Sequence, residues 1–205
     1  VKAFETFKQI QLHYDEIGST NTHVLREMAS IWEELDNEKN ALIFYQQILK
    51  FDSEDKEILV KVVHLLKKSH RLDELFSYLE RMHILWPNNN NFTLEYANAL
   101  MEKNEYPIAA ALYEPIAKQY DISDETYDDA KIASLKMGEC MLKMGDPKTA
   151  YKIFLKLVKD DNKFKEAWDG LAIAATELGK RSEAEKAIKK AANLEEYEFV
   201  RDTIE

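Results

Sequence analysis

Residues 167–188 read AWDGLAIAATELGKRSEAEKAI. The placing of large and small residues in this stretch decides the fold. Moved back 34 residues, Trp168 falls on Ser134, Leu171 on Met137, Ala172 on Gly138, Gly179 on Gly145, Ala184 on Ala150 and Ile188 on Phe154. An earlier set has Ala97 and Ala109 as its small members, with Tyr96, Leu100 and Tyr113 as its large ones. The same shift carries that set onto Val63, Leu75, Val62, Leu66 and Leu79, and a second shift onto Ala29, Ala41, Met28, Trp32 and Tyr45. Self-similarity at a constant interval of this length marks an array of repeats.

Within each interval, apolar residues recur at i, i+3, i+4 and i+7 in both halves, as in the stripe Met137, Met141 and Met144. That spacing predicts two amphipathic helices per unit, joined as an antiparallel hairpin. The small residues fall where the two helices cross: Ala29 with Ala41, Ala97 with Ala109, Gly138 with Ala150, and Ala172 with Ala184. Only short side chains let two helix backbones approach closely there. One hairpin cannot bury its apolar face alone, so neighbours stack into an α-solenoid.

The pattern resembles the tetratricopeptide-repeat family. That family has a large apolar residue at position 4, Leu at 7, small residues at 8 and 20, aromatics at 11 and 24, Ala at 27 and Pro at 32. The resemblance implies an all-α fold of stacked antiparallel helix pairs, wound as a right-handed superhelix. It divides the chain into repeats at 22–55, 56–89, 90–130, 131–164 and 165–198, the third carrying an acidic insertion. Residues 1–21 are a partial repeat and connector, in which AFETFKQIQL (3–12) reads as a second helix with Ala3, Phe7 and Ile10 at positions 20, 24 and 27. Residues 199–205 cap the array or begin a truncated helix.

Some positions depart from the plan. Val63 and Leu75 replace the small crossing pair in repeat two, which predicts helices set further apart or shifted. WPNNNN (86–91) reads as a connector, since Pro disfavours helix before it and Asn forms turns and caps. Seven extra residues lie in or near DISDETYDDAK (121–131), where Ser123 fits an N-cap and Asp124 and Glu125 suit the positive end of a helix dipole. The first helix of repeat four is expected to be about two turns longer than its peers. A calcium loop starting at Asp121 needs Gly at its sixth place and Glu at its twelfth, and these are Thr126 and Ile132. Val1, Phe4 and Phe7 near one end, with Phe199 and Val200 near the other, suggest a piece of a longer protein.

Composition narrows the function. The net charge is −10, and residues 1–100 and 101–205 each carry −5. No basic domain is available for nucleic acid, and attraction to an anionic membrane is disfavoured. No apolar run approaches the roughly 20 residues of a membrane span. Cys140 is the only cysteine, which points to a reducing, intracellular and cytoplasmic setting. At position 10 of its repeat it suits packing better than nucleophilic chemistry. His13, His23, His64, His70 and His83 form no metal-ligand spacing, and no phosphate loop, dinucleotide fingerprint or nucleophile elbow occurs. The chain reads as a non-enzyme that needs no cofactor.

Proteins resembling this family hold a peptide or a partner's helix in the groove lined by their first helices, at positions 2, 5, 6, 9, 12 and 13. Carried onto this chain, those positions place Val60, Lys61, His64 and Lys68 in repeat two, Leu94, Asn98 and Met101 in repeat three, and Leu135, Glu139 and Leu142 in repeat four. Val60, Leu94, Met101, Leu135 and Leu142 make an expected apolar strip, and Lys61, His64 and Lys68 a basic patch beside it. The expected ligand inserts apolar side chains along the middle and sets a carboxylate near repeat two. The charged clamp of the family's chaperone-tail binders is absent, since Val60, His64 and Glu95 stand at its key places. The expectation is therefore a scaffold or adaptor that binds another protein. The alternative is self-association through the terminal helices.

Overall fold

Each helix starts and stops where short-range chemistry dictates. The structure, a computed structural model, describes residues 22–119 and 127–204 with Glu5 and Gln9; the side chains of residue 127 and residues 195–204 fall outside the description. The described residues are all-α, and their helices form antiparallel pairs. The pairs are α1 (Thr22–Glu34) with α2 (Glu38–Phe51), and α3 (Lys56–Lys68) with α4 (Leu72–Leu85). Next come α5 (Asn90–Glu102) with α6 (Tyr106–Ala117), and α7 (Tyr127–Lys143) with α8 (Pro147–Asp160). The last is α9 (Lys165–Glu177) with α10 (Arg181–Ile204).

Side-chain caps open several of these helices. The carboxylate or amide oxygens of Asn37, Asp55, Asn89 and Asp146 accept from the backbone N–H of Asn40, Ile58, Phe92 and Thr149 at 3.1–3.2 Å. One turn closes every first helix. Asp36, His70, Asn104, Gly145 and Gly179 all have φ between 53° and 76°. In the last pair Gly179 N–H donates to Thr176 C=O at 3.0 Å and Lys180 N–H to Ala175 C=O at 2.9 Å. The other four turns repeat this pair of bonds, which is the Schellman stop. Gly145 and Gly179 suit the left-handed backbone; Asp36, His70 and Asn104 adopt it at a steric cost.

The chain divides into two compact units, Val1–Trp86 and Pro87–Glu205. In the first, Leu25, Met28 and Ala29 of α1 are buried, as are Ala41, Tyr45 and Ile48 of α2, Leu59 and Leu66 of α3, and Leu79 and Met82 of α4. The crossing of α3 with α4 buries Val63 and Leu75, and these two helices approach one another least of all the pairs. Bulk at the crossing holds them apart.

In the second unit, α5 and α7 touch, and so do α7 and α9, beside the contacts of each helix with its chain neighbour. Its main core gathers Leu135, Phe154, Leu157, Val158 and Leu171 with Ala150, Ala167, Ala172, Ala174 and Ala187. Phe154 is fully buried between two glycines. A Cβ on Gly138 would stand 2.6 Å from its ring, and one on Gly170 would stand 2.5 Å from it. Gly138 is the small crossing residue of its own pair. Gly170 belongs to the next first helix; it is buried and makes room for the ring.

Other expectations meet the structure at the ends and at the insertion. Helix α7 has 17 residues against 13 in each other first helix, an excess of about one turn among the described residues. Residues 121–126, with the proposed cap Ser123, lie outside the described residues, as do Ala3, Phe7 and Ile10. Helix α10 runs unbroken for 24 residues to Ile204, so no new helix begins at residue 199.

Candidate functional site

In the first unit, α1 and α3 enclose a cleft of about 240 Å³. Arg26, Glu27 and Ser30 of α1 line it, with Glu57, Ile58 and Lys61 of α3 and Tyr45 of α2. Helical periodicity explains the grouping. Arg26, Ser30 and Glu33 lie three to four residues apart on α1, and Glu57, Lys61, His64 and Lys68 do so on α3. Five of the lining residues are those that the repeat register assigns to the groove.

The charges in this cleft are matched across the two helices. Arg26 pairs with Asp55, the carboxylate that caps α3, and its other guanidinium nitrogen lies 3.8 Å from Glu57. Lys61 Nζ donates to Glu33 at 2.9 Å, and the Tyr45 hydroxyl donates to the same carboxylate at 2.5 Å. Lys61 also stands 5.4 Å from the centre of the Tyr45 ring. Burial alone would raise the Glu33 pKa, but the Tyr45 hydroxyl and the Lys61 ammonium outweigh it and hold it below the ordinary carboxylate value. Burial works to lower the Lys61 pKa, and its bond to Glu33 more than reverses this. Burial, then the bond to Glu33, pushes the Tyr45 pKa up to about 12. Lys68 reaches Asp36 at 3.2 Å and Glu38 at 2.7 Å.

The expected basic patch is therefore a row of ion pairs. His64 and Lys68 are exposed and Lys61 is half-buried, but Glu33, Asp36 and Glu38 already answer both lysines. An incoming carboxylate meets matched charge, and must exchange with these acids to bind.

The expected apolar strip is largely core. Val60 is exposed (44 %), whereas Leu94 and Leu135 are 7 % and 8 % exposed. Leu135 belongs to the core around Phe154, and Leu142 packs against the same cluster. A leucine at position 5 faces the neighbouring helices of its own unit, so the inference of an exposed strip is corrected at Leu94 and Leu135. Asn98 is exposed and accepts the Tyr113 hydroxyl at 2.6 Å, and Met101 Sδ lies 3.4 Å from that hydroxyl. Glu139 accepts from Lys136 at 2.9 Å.

Tyr45 and Tyr113 are the residues that sequence reading missed. Both are buried at position 24, yet their hydroxyls reach polar groups of the first helix, Glu33 and Asn98. The signal was present: a buried Tyr in a place that Phe also fills needs a partner for its hydroxyl. Cys140 is fully buried, and burial pushes its thiol pKa up to about 11, away from nucleophilic use. Among the described residues no group of three metal-ligating side chains occurs, and no helix is long and apolar enough to cross a membrane.

No family model matches the chain, and no curated protein matches its sequence. Solved structures do. A crystal structure of MamA superposes with a TM-score of 0.68 over 85 % of this chain and 92 % of MamA, at 19 % identity. YrrB, a tetratricopeptide-repeat protein with an unusual peptide-binding site, superposes with a TM-score of 0.67 over 93 % of each chain, at 15 % identity. The fold is that of the tetratricopeptide-repeat proteins. In such a fold, Thr22, Lys56, Asn90 and Lys165 each open a first helix, and the small residues at the crossings are the buried alanines and Gly138.

Proposed function

We propose that this chain is a non-catalytic protein-interaction module, acting as a scaffold or adaptor for an extended peptide or a partner's helix. The carrying observation is the cleft between α1 and α3, on which groove positions of two successive first helices converge. A shared fold does not fix a function, but the peptide-binding site of YrrB supports this reading of a similar helix arrangement. The ligand engages Ser30, Glu57, Val60 and His64, whose side chains are accessible, and exchanges partners with the ion pairs of Arg26 and Lys61. These pairs are partly buried, so a ligand must offer each charge a replacement partner and leave none unpaired. The lone cysteine suits an intracellular location.

The test is a peptide array probed with the parent chain, Ser30→Arg and Val60→Glu. Both substitutions sit at exposed positions and leave the core intact. Peptides that bind the parent should be lost or weakened at least about tenfold in both variants. Equal binding by all three proteins would end the cleft assignment. Leu94→Glu is a poor probe, because it places a charge in a buried site and tests folding instead.

One observation favours self-association as a second reading. Position 24 is buried at Tyr45, Leu79, Tyr113 and Phe154, but its fifth member, Ile188, is 56 % exposed. It borders an opening of about 400 Å³ lined by Thr176, Gly179, Arg181, Ala184 and Glu185. A concentration-dependent dimer in light scattering, abolished by Ile188→Glu, supports this reading; a monomer at all concentrations removes it.

A further inference from the structure

The charges that line the α1–α3 cleft are not all answered alike. Arg26 and Lys61 are its two cations. Arg26 pairs with Asp55, and Lys61 donates to Glu33 at 2.9 Å. Both cations are thus satisfied before a ligand arrives. The two acids of the lining are Glu27 and Glu57. Glu57 is exposed and stands 3.8 Å from Arg26, a guanidinium already committed to Asp55. Among the described residues, the half-buried Glu27 carboxylate has no ion pair or hydrogen bond. With the Arg26–Asp55 and Lys61–Glu33 pairs taken as neutral, the cleft keeps an excess of negative charge, although its lining holds as many cations as acids.

This excess decides which charge fits. A cation entering the cleft gains Glu27 outright. It also takes Glu57 from Arg26, which keeps Asp55, so no charge is left unpaired. A carboxylate entering must break Arg26 from Asp55 or Lys61 from Glu33, and it meets Glu27 and Glu57 as like charges. The buried Tyr45 and Ile58 add an apolar part to the lining. A long side chain with an aliphatic stem and a charged head suits both parts, the stem against the apolar groups and the head at the carboxylates. Arginine suits them better than lysine, because its planar fork of N–H donors serves two acceptors at once.

We infer that the α1–α3 cleft is a seat for one basic side chain, arginine before lysine, carried by a segment of the partner protein. This rests on the reading of the chain as an interaction module and names the chemistry of its ligand. It reverses the sequence-based expectation of a carboxylate near repeat two, since Glu33, Asp36 and Glu38 already hold the lysines that prompted it.

The probes are capped nonapeptide mixtures, randomised except for one fixed central residue, which is Arg, Lys, Gln or Glu. Each mixture is arrayed and probed with the parent chain, Glu27→Gln, Glu57→Gln, the double variant Glu27→Lys with Glu57→Lys, and Ser30→Arg. Circular dichroism checks that every variant folds. The parent should retain the Arg mixture at least about tenfold better than the Glu mixture, with Lys and Gln between them. Either glutamine variant should shrink that ratio, and the double lysine variant should invert it; if the double variant does not fold, the glutamine variants decide. Glu34→Gln removes the same charge from an exposed position of α1 outside the cleft lining and should leave the ratio unchanged. Equal retention of the Arg and Gln mixtures, a preference for Glu, or an equal effect of Glu34→Gln would overturn the inference. Where Ser30→Arg still abolishes binding, any of these results removes the charge preference and leaves the cleft as a binding site. Binding that ignores Ser30→Arg removes both.

Discussion

Phe154 holds its place because two glycines on different helices yield to it. A methyl at Gly138 or Gly170 meets the ring at 2.5–2.6 Å, closer than carbon atoms pack, so the ring or a helix must move. Overpacking of this kind costs about 1–3 kcal/mol. Gly138→Ala and Gly170→Ala should each lower stability by that amount in urea unfolding, and Phe154→Leu should recover part of the loss in the double variants. Gly145 and Gly179 give the opposite pattern. A methyl there meets nothing within 4 Å, so the alanine variants lose about 1–2 kcal/mol from the positive φ alone. That loss should be independent of Phe154. His70→Gly removes the same backbone cost and should stabilise by up to about 1 kcal/mol. The sequence identified Gly138 as a crossing residue but gave no sign of the part Gly170 plays, because register gives a residue its position and not the neighbour that presses on it.

The ion pair of Glu33 and Lys61 also belongs to the residue scale. Glu33 has a lowered pKa, so its contribution is present above the ordinary carboxylate value and lost as pH falls through the folded value. Lys61 has a raised pKa, so its contribution is present below the ordinary lysine value and lost as pH climbs past the folded one. Glu33→Gln should therefore destabilise the chain by up to about 1 kcal/mol at neutral pH. The difference should shrink as pH falls below the ordinary carboxylate value of about 4.3 and disappear once pH lies below the lowered value of folded Glu33, as read from melting temperatures. A difference that stays constant from pH 3 to pH 7, about the span over which carboxylates titrate, would show that the pair does not supply it.

At the scale of elements, the bulky crossing of α3 and α4 separates close packing from mere contact. Leu75 keeps the helices apart and also fills the space that results. Leu75→Ala should open a cavity costing about 2–5 kcal/mol and should not restore a tight alanine crossing. A neutral or stabilising result would show that the helices close up. Helix existence and pairing were legible in the sequence, because the 34-residue interval fixes both at once. Helix length was less so. Among the described residues α7 begins at Tyr127 and is about one turn longer than its peers. Residues 197–205 carry no Gly or Pro to stop α10, so it continues.

For the whole molecule, the net charge of −10 does not describe the binding surface. Several of its cations are held in pairs with acids from other helices or turns, at Arg26, Lys61 and Lys68 in the first unit and at Lys131 with Asp161, 2.5 Å apart, in the second. The sequence located the groove positions of α1 and α3 but mistook their state. It counted lysines without the acids that meet them 28–32 residues earlier in the chain, and leucines without the core that covers them.

The central claim is that successive first helices form a surface for another polypeptide. Amide chemical-shift mapping with a peptide selected on the array tests it most directly. The account predicts shifts clustered on α1 and α3, around Ser30, Glu57 and Lys61, and abolished by Ser30→Arg. Shifts confined to the outer face of α2 or α4, or none at saturating peptide, would contradict it.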